Sequence, residues 1–319
     1  MPSRADSGVS CQRLFHQRWG DLHDPHVRTL AWLLDAPDML DAAWPGWGGR
    51  VTCLGAEMPP LSADRLRALD RDPADLHAHL NIHRFTRLGR YAEQLLAWHF
   101  RELGMLHAQG LQVRDGERTL GEFDFLLERD GRLLHRELAT KVYLLRRAEP
   151  QQAHKADYFV GPNLADTLGA KVAKILDRQL ALSTLPAAAS VLPRPVDNAG
   201  AWVKGWLFYP HGAAGAGGVP GLSAQHCRGS WCSLEEFAAS SAGKRYLMLD
   251  RLQWLTPQAA TPDRLLMAPQ VLPLLQAAFA RQNTPVMLAE MEQEEGCWIE
   301  VGRCFVAPDA WRAAASLPN

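Results

Sequence analysis

At 319 residues, with 47% hydrophobic and 22% charged residues, the chain has enough apolar sequence for one large or two ordinary folded domains, which excludes a disordered protein. A formal net charge of −1 excludes a uniformly basic nucleic-acid coat, so contact with a polyanion must come from a local patch. No stretch approaches the ~20 apolar residues of a membrane span and the N-terminus lacks a secretory apolar core, so a cytoplasmic protein without a membrane partner is expected.

From Arg28 to about Leu80 the pattern is helical: HVRTLAWLLD, a Pro/Gly break at DAAWPGWGG, then SADRLRALDRDPADLHAHL with Ser62 as N-cap. Residues 1–80 therefore read as an N-terminal helical cap. Next, TRLGRYAEQLLAWHFRELG puts Leu88, Ala92, Leu95, His99 and Leu103 on one stripe, with Glu93 at its edge and Gly104 as the stop. Three strand-like runs follow, GLQVRDG, TLGEFDFLLER and RLLHRELATKVYLL. A helix over NLADTLGAKVAKILDRQLALS, with Asn163 as N-cap, and a strand, AWVKGWLFYP, complete an αβββαβ order over residues 81–210. Residues 211–319 open with a Gly/Ala-rich loop and read as a C-terminal α+β extension, with strands RYLMLDRLQWL, PVMLAEME and CWIEVGRCFV around a helix starting near Ala268.

The central hairpin carries the chemistry. Asp130-Gly131 suits a two-residue turn whose central positions both need positive φ. Pairing Arg129 with Arg132 then sets Asp124 opposite Glu137 and Glu122 opposite Ala139, and paired residues share a face. One face would hold Phe123, Phe125 and Leu127 against Leu134, Leu138 and Val142, apolar apart from Arg136 and Thr140. The other would hold Glu122, Asp124 and Leu126 against His135, Glu137, Ala139 and Lys141. Directly opposed carboxylates lie about 5 Å apart at Cβ and destabilise a sheet unless a cation neutralises them, which Mg²⁺ does well. A plain solvated acidic face, with Lys141 and Arg136 as loose counter-ions, is the competing expectation.

The helix after the hairpin places Lys171, Lys174 and Arg178 at i, i+3 and i+7, a row suited to a phosphate backbone or to plain solvation, with Gln179 beside it. Arg146 and Arg147, just past the third strand, fall near the same groove. Segment 84–178 carries 16 Lys and Arg against 13 Asp and Glu, a mild local excess of positive charge.

A helix with Glu93, a strand with Asp124, a strand with Glu137 and Lys141, and a basic helix after them together resemble the PD-(D/E)XK nuclease superfamily over residues 81 to about 209. The segments GRYAEQLL, LGEFDFLL, HRELATKVYLL and FVGPNLADTLGAKVAKILDRQLAL more closely resemble a bacterial family of that kind, domain of unknown function eighteen fifty-three. The resemblance implies a restriction-endonuclease-like α/β core. It also implies Asp124 and Glu137 as metal-binding carboxylates, Glu93 as a further ligand or water-holding group, Lys141 beside the attacking water, and Mg²⁺ or Mn²⁺ as cofactor. The function it implies is metal-dependent hydrolysis of phosphodiester bonds, with DNA as the expected partner. One departure stands out: the superfamily has one residue between acid and lysine, whereas Leu138, Ala139 and Thr140 intervene here. Lys141 must reach back along the strand, a bulge must shorten the gap, or Glu137 has taken over the acid role from the position of Ala139. The same irregularity gives the second expectation, a catalytically inactive nuclease-fold protein that binds nucleic acid or a protein.

Overall fold

The computed structural model describes residues 9–59, 62–81, 85–146, 156–213 and 219–315. Helix α1 (Cys11–Trp19), absent from the sequence reading, starts where Ser10 accepts a hydrogen bond from Arg13 N. Helix α2 (Pro25–Asp35) is capped by Asp24 and carries proline at its first position, where no amide is lost. A single turn, α3 (Leu54–Glu57), follows. The run from Ser62 to Leu80, expected as one helix, is two, α4 (Ala63–Arg71) and α5 (Ala74–Leu80). Pro73 excludes helical backbone from the residue before it, and Asp72 takes φ −140°, ψ 78°. Helix α6 (Leu88–Glu102) buries Leu88, Ala92, Leu95, Leu96 and Phe100.

Strands β1 (Leu106–Asp115), β2 (Arg118–Arg129) and β3 (Arg132–Leu145) form an antiparallel meander, and the two-residue β4 (Phe159–Val160) pairs with the end of β3. The next helix begins later than expected: α7 (Leu168–Lys174) is capped by Thr167, not Asn163. It continues as a π turn over Ile175–Gln179 and a 3₁₀ turn over Leu180–Thr184. Residues 161–166 are instead a loop closed by Gly161 N to Asp166 O at 2.9 Å, with Leu164 at φ 58°. Strand β5 (Asn198–Pro210) completes the α-β-β-β-α-β order, with β4 as an addition.

The C-terminal part supplies β6 (Cys227–Ser233), α8 (Leu234–Ser240), β7 (Arg245–Met248), β8 (Ala259–Ala260), β9 (Leu266–Met267), α9 (Ala268–Phe279), β10 (Val286–Glu294), β11 (Cys297–Ala307) and α10 (Asp309–Ala315). The run RYLMLDRLQWL is a strand only in its first half. Asp250 then exchanges hydrogen bonds with Gln253 and caps a 3₁₀ turn over Arg251–Trp254.

These strands build one mixed sheet in the order β1-β2-β3-β5-β6-β11-β10-β7-β9, with β4 on β3 and β8 on β11. Its centre, β3-β5-β6-β11, is parallel and the remaining pairings are antiparallel. Parallel central strands are covered on both sides. Trp19, Trp32, Leu95, Phe100, Trp202 and Trp206 fill one face, and Tyr143, Leu168, Val172, Ile175 and Leu207 fill the other. Arg136, the charged residue expected on the apolar face, is paired there: Nε and Nη2 donate to the two Glu57 oxygens at 2.8 and 2.7 Å, and Trp202 Nε1 donates to Glu57 at 2.9 Å.

Candidate active site

The β2–β3 turn has positive φ at both Asp130 (49°) and Gly131 (72°), and the register runs as the turn dictates, from Arg129–Arg132 to Phe125–Arg136. The backbone ladder then gives way at the next pair. Leu138 N donates to Asp124 Oδ2 at 2.9 Å, and Asp124 N donates to Glu137 Oε1 at 3.5 Å. Each carboxylate therefore satisfies an amide on the opposing strand, so the two side chains stand between the strands instead of side by side on one face.

Side-chain alternation breaks at the same place. Phe125 packs edge-on against Phe100 of α6, as expected, but Phe123 lies on the opposite face, its ring 4.7 Å from that of His135 and clustered with Leu126 and Leu133. This corrects the face expected for Phe123. Across β1, Gly110 takes φ 63° between the pairs Gln109–Phe125 and Leu111–Phe123, opposite Asp124. Glu122 therefore turns toward α6, where Arg90 Nη1 reaches it at 3.4 Å and Glu93 at 3.2 Å.

Glu137 is fully buried. It is held by His135 Nε2 at 2.8 Å and by Gln179 Nε2 from the π turn, while Lys171 Nζ donates to Gln179 Oε1 at 3.1 Å. Burial raises the Asp124 carboxyl to about 7, helped by the Glu137 charge; burial also raises Glu137 to about 7 against the hydrogen bonds from Asp124. Glu93 is raised by burial and then by Asp124. Burial lowers His135 to about 4, so it is a neutral imidazole donating to Glu137. Lys171 is shifted down by burial first and by Lys141 second, and its charge acts on both Asp124 and Glu137.

Asp124, Glu93, Glu122, Lys141 and Lys171 open onto a cleft of about 980 Å³ between the start of α6, β3 and the loop before α7. Lys141 does not reach back to Glu137. Its ammonium pairs with Asp166 Oδ2 at 2.7 Å, and Tyr143 OH donates to the same oxygen at 3.1 Å. Nor does a bulge shorten the gap, because the β3–β5 register runs unshifted from Leu134–Asn198 to Leu144–Phe208.

Of the expected phosphate row, Lys171 turns into the cleft, whereas Lys174 and Arg178 are exposed and outside its lining. Arg146 is half-buried, its amide bonded to Tyr158 O, and Arg147 lies outside the described residues. Sequence reasoning missed Asp166 and Tyr143, and it missed the cleft wall contributed by Arg251 and Trp254. Only the Asp-Thr step at 166–167, an acid beside a cap, hints at Asp166.

Among the described residues, no three His, Cys, Asp or Glu side chains converge as a ready metal-ligand set. Mg²⁺ asks less of a protein, taking one or two carboxylates and completing its shell with water. Asp124 and Glu93 at the cleft, with Glu137 behind, offer that donor chemistry, and burial, the main cause of their raised carboxyls, is a cost that a bound divalent cation would offset.

Fold and site together define an α/β protein with a buried carboxylate pair at the edge of a cleft. The model of the family Domain of unknown function (DUF1853) matches residues 28–307, and the chain belongs to that family. No curated protein and no solved structure matches it. No helix among the described residues is long and apolar enough to cross a membrane.

Proposed function

We propose that the chain is a divalent-metal-dependent nuclease of the PD-(D/E)XK kind, built on a restriction-endonuclease-like core and hydrolysing phosphodiester bonds in DNA. The observation that carries the reading is the exchange of backbone pairing for carboxylate–amide bonds at Asp124 and Glu137, beside a cleft that also holds Lys141 and Lys171. Two buried carboxyls raised to about 7 beside a cleft are the kind of perturbed pair that functional sites carry. Asp124 and Glu93 would hold Mg²⁺ or Mn²⁺, with Glu137 behind them as the third acid of the proposed site, and the ion when bound supplies charge neutralisation and a more acidic water. Lys171 stands beside both acids and stabilises negative charge on the phosphate, while His135 and Gln179 fix the Glu137 carboxylate.

The test is incubation of the purified chain with single-stranded, duplex and branched DNA and with Mg²⁺ or Mn²⁺. Cleavage should require the ion and fall by about 10²-fold or more in Asp124→Ala and Glu137→Ala. Absence of cleavage under every condition, or cleavage unchanged in Asp124→Ala, overturns the reading. A second reading, a non-catalytic nuclease-fold protein binding nucleic acid or a protein partner, draws on the capture of Lys141 by Asp166 and Tyr143. Its nucleic-acid form predicts salt-dependent binding that survives Asp124→Ala and weakens in Lys171→Ala or Lys174→Ala.

A further inference from the structure

Helix α6 enters the cleft by its N-terminus, and nothing in its own sequence closes that end. Its N-cap, Arg87, has no side-chain oxygen to offer, and no side chain among the described residues caps the helix. The first helical bond runs from Tyr91 N to Arg87 O at 3.2 Å, which leaves the amides of Leu88, Gly89 and Arg90 without an intrahelical acceptor. These three residues line the cleft. The helix is fifteen residues long, so its dipole favours negative charge at this point.

Thr140 of β3 supplies an independent observation. It is 6% exposed, and its Oγ1 is buried with no hydrogen-bond partner among the described residues. A buried hydroxyl left unpaired costs free energy unless a ligand meets it. The hydroxyl lies 3.7 Å from the point a Cβ on Gly89 would occupy, an ordinary packing distance, so it borders the first turn of the helix, and both residues line the cleft. Glu93 Oε1 borders the same point at 3.8 Å. Arg90 offsets that carboxylate at 3.2 Å. Lys141 and Arg251 add positive charge around the cleft.

We infer that the α6 N-terminus and the Thr140 hydroxyl form a phosphate subsite, distinct from the acid pair, that holds one phosphate group of the chain being cut. The inference rests on the nuclease reading for the identity of that chain. The phosphate chemistry is the subsite's own. A terminal phosphate monoester and an internal phosphodiester present the same oxyanions, and both suit helix amides plus a hydroxyl.

The experiment titrates inorganic phosphate into the full chain by calorimetry, alongside metal-dependent DNA cleavage. Thr140→Val should weaken phosphate binding about tenfold, and Thr140→Ser should restore it. Arg87→Asp installs a side chain that caps these amides. It should raise the melting temperature while abolishing phosphate binding, a combination that damage to the fold would not give. No phosphate binding by the wild type, or unchanged binding in Thr140→Val and Arg87→Asp, overturns the subsite and leaves the nuclease reading standing if cleavage persists. Phosphate binding lost in both variants, without any cleavage by the wild type, supports the subsite and removes the nuclease reading. Oligonucleotides with a 5′-phosphate, a 3′-phosphate or neither then identify the source. A preference for one phosphorylated end that Thr140→Val erases assigns the monoester; equal affinities that all fall in Thr140→Val assign the internal diester.

Discussion

The two carboxyls at Asp124 and Glu137 titrate near 7 for a reason that also sets the stability of the chain. An acid whose folded pKa is raised above its unfolded value costs no stability while both states are protonated. The cost grows as pH rises from about 4 through about 7 and is complete above that. His135 works in the opposite sense, its contribution being lost as pH falls from 6.5 through about 4, so the acid effect is read as a difference from wild type at each pH. Asp124→Asn should be more stable than wild type by roughly 1–3 kcal/mol at pH 8 in a chelator and equal to it at pH 4, measured by urea denaturation. An equal difference at both pH values would show that Asp124 is not perturbed. The facing of Asp124 and Glu137 was legible in the sequence because a two-residue turn counts residues and nothing else. Gln179 beside Lys171 was legible too, but the partner of Lys141 was not, since Asp166 is brought in by a loop that leaves no periodic trace.

Among the elements, β3 and β5 run parallel and approach closely at Gly205. Gly205 takes φ 143°, and a Cβ there would stand 1.7 Å from Lys141 O, so any side chain pushes the two strands apart. Gly205→Ala should cost about 3–5 kcal/mol in chemical denaturation and displace Lys141 from Asp166. A loss below about 1 kcal/mol would mean that the strands can separate there without penalty. Amphipathic α6 could be read from the periodicity of its buried face, and the long strands β3 and β5 from apolar runs that are buried on both sides. Strand β6 was missed because CRGSWCS is short, rich in small residues and buried by position between β5 and β11, which is a property of the sheet and not of the segment. The flip at Asp124 was missed because alternation assumes a regular pleat, and the site is where the pleat fails.

Across the whole molecule, the C-terminal part braces the cleft. Trp311 of α10 donates from Nε1 to Pro162 O at 2.7 Å, tying down the loop that carries Asp166, while Arg251 and Trp254 form part of the wall. Trp311→Phe should keep the packing against Trp231 and lose about 1 kcal/mol through the missing hydrogen bond. Hydrogen exchange should quicken at the Gly161 and Leu164 amides and stay unchanged in β3. Unaltered exchange at both loop amides would show that the loop holds its form without α10.

The placement of β11 between β6 and β10 also governs how the chain is made. During synthesis β6 leaves the ribosome with β5 on one side and bare amides and carbonyls on the other, and its second neighbour is encoded far downstream. Until that segment emerges, the nascent sheet presents an open seam of the kind that chaperones cover and stray strands invade.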